Sequence, residues 1–287
     1  MCWVKGRHSW FSRAETSIEG FSAAHALAPQ RAAAHAERVL SEIVRHLDEL
    51  LNHANVGDYP GAHNGLQIEN SGRVARVCAA VDACEAVLAD AARVPGTLLL
   101  VHHGLLWGGA RAFTGALRRK LKLAFDADLA VFSSHLPLDL HAKLGNNALL
   151  AKALGLRKCA PAFSMKGQPI GIIGSADASR AEFSRRIEKA VGGAVKIAPG
   201  GPARVKRVGV ATGGAGELVS DAAALGCDAF VTGEGPHHTF TLAEELGVNL
   251  FYGGHYATET FGVKALAQYV ARKFGMKWEF IHHPTGL

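Results

Sequence analysis

Two histidines, His102 and His103, stand side by side where the apolar run of "GTLLLVHHGLLW" stops. Imidazole binds zinc, iron, manganese or nickel, and carboxylates join it in mixed sites. Such partners recur downstream: His135 and Asp139 sit four apart in "HLPLD", and His255 and Glu259 four apart in "HYATE". Where the chain turns helical, residues i and i+4 share one face, so each pair can grip a single ion. Consecutive residues of an extended chain point to opposite sides. His102 and His103 therefore suit two neighbouring ions better than one. A carboxylate, Asp139 or Glu259, would bridge them. Two ions about 3.5–4 Å apart activate water and stabilise a hydrolytic transition state. The expected cofactor is two divalent ions per chain, Zn, Fe or Mn. His135 reads as an acid–base group beside the ions or as a residue supporting their ligands.

Other polar residues carry weaker signals. Glu234, in "TGE", reads either as a helix cap or as part of the site. His237 and His238 are expected on the exposed first turn of the following helix. His282 and His283 lack an acidic partner four residues on and precede Pro284, so they are expected to be structural or solvent-facing. "ATGGAG", residues 211 to 216, is a Gly-rich turn of the kind that holds phosphate on backbone amides. It lacks the Lys-Ser/Thr of a P-loop and the full dinucleotide fingerprint. There is no Gly-x-Ser-x-Gly, and no cysteine lies beside a histidine motif, so a nucleophilic side chain is unsupported.

These residues need a scaffold, and the chain supplies alternating elements. Val39, Leu40, Ile43, Val44, Leu47, Leu50 and Leu51 recur on one helical face. "NVGDYPGAHNGL" is a loop by composition. Strands follow at "RVCAAV", "TLLLV", "LAVFSS", "IGIIG", "RVGVA", "DAFVTG", "NLFYGG" and "KWEFIHH", separated by amphipathic helices. That rhythm indicates an α/β fold with mostly parallel sheets covered by helices. In open sheets of this class, ligands bind at the carboxyl ends of the strands, where the candidate residues lie. The halves also align: "RVARVCAAVDACEAVLADA" with "ARVKRVGVATGGAGELVSDA", "TLLLVHHG" with "DAFVTGEG", and "LAVFSSHLPLD" with "NLFYGGHYATE". An internal duplication is expected to give two similar α/β domains, 37–160 and 161–287. The boundary would fall near "RKCAPAFSMKGQP", residues 157 to 169.

Composition narrows the class. The 287 residues are 48% hydrophobic, enough to build a sizeable core, and no apolar run approaches a membrane span. Lys and Arg number 31 against 25 Asp and Glu, a mild excess without a long basic block. Nucleic-acid binding is therefore compatible with the charge but not demanded by it. The five cysteines are scattered, which argues against a disulfide framework or a thiolate zinc site and for a reducing compartment, the cytoplasm. Residues 1–36 lack a signal-peptide core and read as a poorly ordered extension. A mitochondrial transit peptide is the alternative reading of this Arg- and Ser-containing, acid-poor segment.

In order, "NGLQIE", "VHHGLLW", "HLPLDLHAKLGNN", "VTGE" and "GHYATE" resemble the Nif-three-like family of dinuclear metal-centre proteins, often labelled GTP cyclohydrolase 1 type 2 homologues. The resemblance covers about residues 38–283. It implies a metal site in the cleft between the two domains and a toroidal homohexamer. It implies the ligands His102, His103, Asp139, His255 and Glu259, with Glu259 as the bridge. It also places His135 close to the metals and Asn64 in a loop near them. The chain resembles the short form, with no third domain inserted between its halves. The implied reaction is hydrolytic opening of the purine ring of GTP by metal-activated water. The alternative is a non-catalytic metal-binding scaffold or regulator that docks proteins or nucleic acid, motivated by the positive charge and the absence of an obvious base pocket.

Overall fold

The computed structural model describes residues 27–107, 109 and 111–287, with side chains from residue 39 onward. Helix α1 (Leu27–Leu50) leads into β1 (Gly65–Ile68), β2 (Arg76–Asp82), α2 (Glu85–Ala91), β3 (Thr97–His103), α3 (Gly115–Asp126), β4 (Ala130–Ser133), α4 (Leu136–Asp139) and α5 (Asn146–Ala153). The chain continues through β5 (Arg157–Met165), β6 (Gln168–Ser179), α6 (Arg180–Val191), β7 (Lys196–Pro199), β8 (Arg204–Val210), α7 (Val219–Ala224), β9 (Ala229–Thr232), α8 (His238–Leu246), β10 (Asn249–Tyr252), α9 (His255–Phe274) and β11 (Lys277–Phe280). The extension expected over residues 1–36 lies outside the described residues as far as residue 26. Among the described residues no helix is long and apolar enough to cross a membrane. Among the described residues, Cys78, Cys84, Cys159 and Cys227 are free thiols.

Two sheets result. The first has the order β1-β4-β3-β2-β11. Its inner strands alternate faces: Val77, Ala79, Leu98, Leu100 and Phe132 meet α1 and α9, whereas Cys78, Ala80, Leu99, Val101 and Val131 meet α2 and α3. Burial on both faces explains why "TLLLV" reads as a continuous apolar run. Each large apolar side chain buried here contributes about 1.5–3 kcal/mol relative to exposure. The second sheet has the order β5-β6-β8-β9-β10-β7. Helices α5 and α6 cover Val205, Val208, Val231 and Phe251 on one face, and α7 and α8 cover Phe230 and Leu250 on the other.

The structure corrects three expectations. The first sheet is parallel apart from edge strand β1, but the second is mixed: β5–β6, β6–β8 and β7–β10 pair antiparallel. Residues 157–165, near which a domain boundary was expected and no strand was read, form the edge strand β5, whose exposed residues and Pro161 hid it. The unit expected over 161–287 does not close on itself. Helix α9 leaves the second sheet and buries Val263, Leu266, Ala267 and Val270 against the first, so that β11 can pair in parallel with β2. The C-terminal segment therefore ties the two sheets together, and α9 carries His255 and Glu259 on its first turns.

Candidate metal centre

Strand β3 brings His102 and His103 to its carboxyl end. Their apolar predecessors are fully buried, so the strand is held up to the residue where the imidazoles begin. The His102 ring is buried and that of His103 is partly open, yet the ring centroids stand only 4.8 Å apart. β4 then leads into α4, placing His135 and Asp139 a helical turn apart. β10 leads into α9, placing His255 and Glu259 likewise, with Nε2 and Oε2 separated by 3.1 Å.

Glu259 is the hub. One of its oxygens, Oε1, lies 3.5 Å from His102 Nε2, and the other, Oε2, lies 3.5 Å from His103 Nε2. Asp139 Oδ2 is also 3.5 Å from His102 Nε2. Two overlapping groups have ligand atoms within 4.8 Å of one another: His102, His103 and His135, and His103, His255 and Glu259.

Every imidazole is anchored through its Nδ1. His102 donates from that nitrogen to the Ser134 carbonyl at 3.0 Å. His103 is held by Asp82 at 2.8 Å, His135 by Asp58 at 2.8 Å and His255 by Glu234 at 2.8 Å. With Nδ1 engaged, Nε2 is the nitrogen left to face the centre, the pattern that orients metal-binding histidines. Asp139 is fixed in turn: Asn146 Nδ2 donates to its Oδ1 at 2.7 Å, and Asn146 Oδ1 accepts from the Gly262 amide of α9 at 2.6 Å. Asn64 accepts from the His135 amide at 2.7 Å and donates to Asp58 at 2.8 Å, so it braces the loop beside His135.

The electrostatics follow from packing cations and anions out of water. Burial alone would push the His102 imidazole down, but Asp139 and Glu259 hold it well above its ordinary value. Burial also depresses His255, and Glu259 and Glu234 outweigh it, lifting it to about 9. Glu259 is the counterpart: burial favours its neutral form, yet His102, His255 and His103 hold its carboxyl far below the usual range. Asp58 is lowered as well, because the hydrogen bonds from His135 and Asn64 overcome its burial.

Two atoms expose what this network lacks. His102 Nε2 and Glu259 Oε2 are buried, and neither has a hydrogen-bond partner. Leaving such groups unpaired is costly. Donor atoms about 2.1 Å from a shared ion, at a tetrahedral angle, stand about 3.4 Å apart, which is the spacing seen between these imidazoles and carboxylates. The mixed imidazole and carboxylate donors therefore fit divalent transition metals. Gly213 shows how closely the second half approaches: a Cβ there would meet Glu259 Oε1 at 2.1 Å.

The structure gathers His102, His103, His135, Asp139, His255 and Glu259, all six residues expected at the site. It assigns Glu234 to His255 rather than to a helix cap, since the residue before α8 is His237. His237 and His238 are exposed on that helix's entry, as expected. His282 and His283 are exposed too; His282 Nδ1 bonds the Tyr256 hydroxyl at 3.1 Å. The Gly-rich turn is not free to cradle phosphate with most of its amides: Thr212 donates to Asn147, Gly213 to Thr258, Ala215 to Thr232 and Gly216 to the Glu234 carbonyl. Asp58 and Asp82 were missed. Asp58 lay in a segment read only as loop, and Asp82 ends a strand with no spacing relation to His103; only the sheet register puts those two side by side.

Behind His102 lies a further array. His53 Nε2 is 2.9 Å from Ser134 Oγ, and Asp48 Oδ1 is 2.9 Å from His53 Nδ1. Ser134 is fully buried, so this trio has no access to substrate. Its effect is to fix the residue whose carbonyl orients His102. In front, a cleft of about 800 Å³ opens over the centre, lined by His103, His135 and Glu259, by Lys120, and by Ser164 and Met165 of β5.

Comparison with known proteins places this architecture. The model of the Duf34/NIF3 (NGG1p interacting factor 3) family matches residues 39–285. A Deinococcus radiodurans protein named GTP cyclohydrolase 1 type 2 homolog is 41% identical over 249 residues, covering 86% of this chain and 94% of its own length. A Pyrococcus abyssi protein of the same name is 39% identical, over 86% of this chain and 98% of its own. The crystal structure of TTHA1606 from Thermus thermophilus superposes with a TM-score of 0.79 at 37% identity, covering 86% of this chain and 99% of that one.

Proposed function

The chain belongs to the Duf34/NIF3 family, and from its cleft we propose a dinuclear-metal-dependent hydrolase that opens the purine ring of a nucleotide such as GTP. The observation that carries the metal reading is the pair of buried atoms without a hydrogen bond, His102 Nε2 and Glu259 Oε2, held among opposite charges in one imidazole–carboxylate cluster. His102, His103, Asp139, His255 and Glu259 would hold the ions, with Glu259 between them because its two oxygens face different imidazoles. When bound, two such ions supply Lewis-acid polarisation and water activation.

The chain's own residues do the rest. His135, steadied by Asp58, presents Nε2 to the same centre and is the group proposed to carry a proton to or from the reacting ring. Asp82 and Glu234 keep His103 and His255 in one tautomer. Lys120 offers a cation in the cleft for a phosphate tail, a role the Gly-rich turn cannot fill with its engaged amides. The i, i+4 pairs follow β4 and β10 in the two halves, which supports the inferred duplication and a site shared between the halves. A closed homohexamer is the assembly inferred from family membership.

The test is formate release and loss of the purine absorbance with GTP, using protein loaded with Zn, Mn or Fe beside its His103→Ala and Glu259→Ala variants. Activity that survives both substitutions belongs to a contaminant. Absence of turnover with every nucleotide and metal rejects the hydrolase and leaves the scaffold reading.

A further inference from the structure

Two aromatic side chains in the cleft are conspicuously open. Tyr59 is 49% exposed and Trp107 41% exposed. Both line the cleft over the candidate metal centre. Their centroids are 6.2 Å apart with the rings inclined at 62°, forming a corner. Trp107 stands edge-to-face on His135 at 4.6 Å and lies 5.4 Å from His103; Tyr59 lies 5.9 Å from His135. The corner therefore begins where the imidazole cluster ends.

This exposure does not come from loosely held loops. Gly61 packs so tightly on the 105–107 segment that a Cβ would meet the Trp107 carbonyl oxygen at 2.2 Å. Gln67 clamps both loops, accepting from the Leu105 amide at 2.7 Å and donating to the His63 carbonyl at 2.9 Å. Gln168 of β6 accepts from the Gly57 amide at 3.0 Å, fastening the Tyr59 loop to the second sheet. Rings held in place before a ligand arrives lose little entropy when it binds. Large aromatic faces left open in a cleft mark a binding surface.

We propose that Trp107 and Tyr59 are the ring-reading residues of this cleft, taking a planar heteroaromatic ring by stacking and directing its edge toward His103 and His135. The proposal rests on the nucleotide reading above and names what selects the base. A sugar or aliphatic acid has no π face to offer this corner, whereas any purine or pyrimidine does. The cleft, about 800 Å³, is of the size that encloses a small ligand.

The experiment measures binding, not turnover. Metal-loaded wild type, Trp107→Leu, Trp107→Phe and Tyr59→Leu are titrated with guanosine and, separately, with ribose 5-phosphate, by equilibrium dialysis and by tryptophan fluorescence. Guanosine should bind wild type and quench emission. Trp107→Leu and Tyr59→Leu should each weaken it about fivefold or more, the effect of removing one stacking partner. Trp107→Phe should restore most of the affinity, and ribose 5-phosphate should bind all four proteins alike. Equal metal content in the four proteins separates stacking from damage to the centre. Failure of guanosine to bind, unchanged affinity in both leucine variants, or a fall in oligomeric mass with affinity intact would overturn the proposal. Aromatic-dependent binding without formate release would reject the hydrolase and leave the ring-reading corner standing.

Discussion

Proton release should govern metal uptake. In the metal-free chain His255 is lifted to about 9 by Glu259 and Glu234, against the pull of its burial. At pH 7 it is therefore protonated, and a metal must displace that proton before Nε2 can bind. The displacement costs a factor of ten per pH unit well below the raised value, so affinity should rise about 50-fold from pH 7 to pH 9, where half the proton competition still remains, through this residue alone. His102 is raised in the same sense and steepens the slope wherever it too is protonated. Glu259 is held low and stays ionised across this range, so it adds nothing to the slope. In the metal-free protein the same pairing stabilises the fold. That contribution is complete below the ordinary imidazole value of 6.5 and is lost as pH rises through about 9. The assay is chelator-competition titration at pH 6 to 9, with proton release read in weak buffer. A pH-independent affinity, or no proton released per ion at pH 7, would refute the reasoning.

The remaining expectations concern single residues and the assembly. Glu259→Ala should lose more metal than His135→Ala, because Glu259 faces three imidazoles, two of them at 3.5 Å and His255 at 3.1 Å. Metal analysis after dialysis decides it, and equal loss would make His135 a ligand. Gly213→Ala should abolish tight metal uptake while the protein remains folded by circular dichroism. Its φ of +69° disfavours any side chain, and an added Cβ would clash with Glu259 Oε1; normal loading would show that this close packing is not required. Light scattering should give the mass of a hexamer, and a monomer at micromolar concentration would contradict the inferred assembly.

How much of this was legible depends on which contacts are local. The first sheet was visible because burial on both faces writes unbroken apolar runs such as Leu98–Val101. The i, i+4 pairs were visible because helical spacing is a property of sequence. β1 and β7 were missed because both are edge strands without a continuous apolar run, GLQI and KIAP, and β5 because its residues are mostly exposed. The crossing of α9 was hidden for another reason: its apolar face is compatible with either sheet, and only the pairing of β11 with β2 selects the first. The six residues of the centre were named from type and spacing. Their anchors were not, since Asp58 and His135 are 77 positions apart and Asp82 and His103 are 21 apart. No periodicity connects such partners; the folded chain does.

In the proposed centre, one cluster of imidazoles and carboxylates holds two ions. Metal analysis of protein purified without chelator tests it most directly, on wild type and on His102→Ala and His103→Ala. Wild type should carry close to two equivalents of divalent metal per chain, and each variant should show a clear loss. One tightly bound ion at saturation, retained when either histidine is removed, would contradict it.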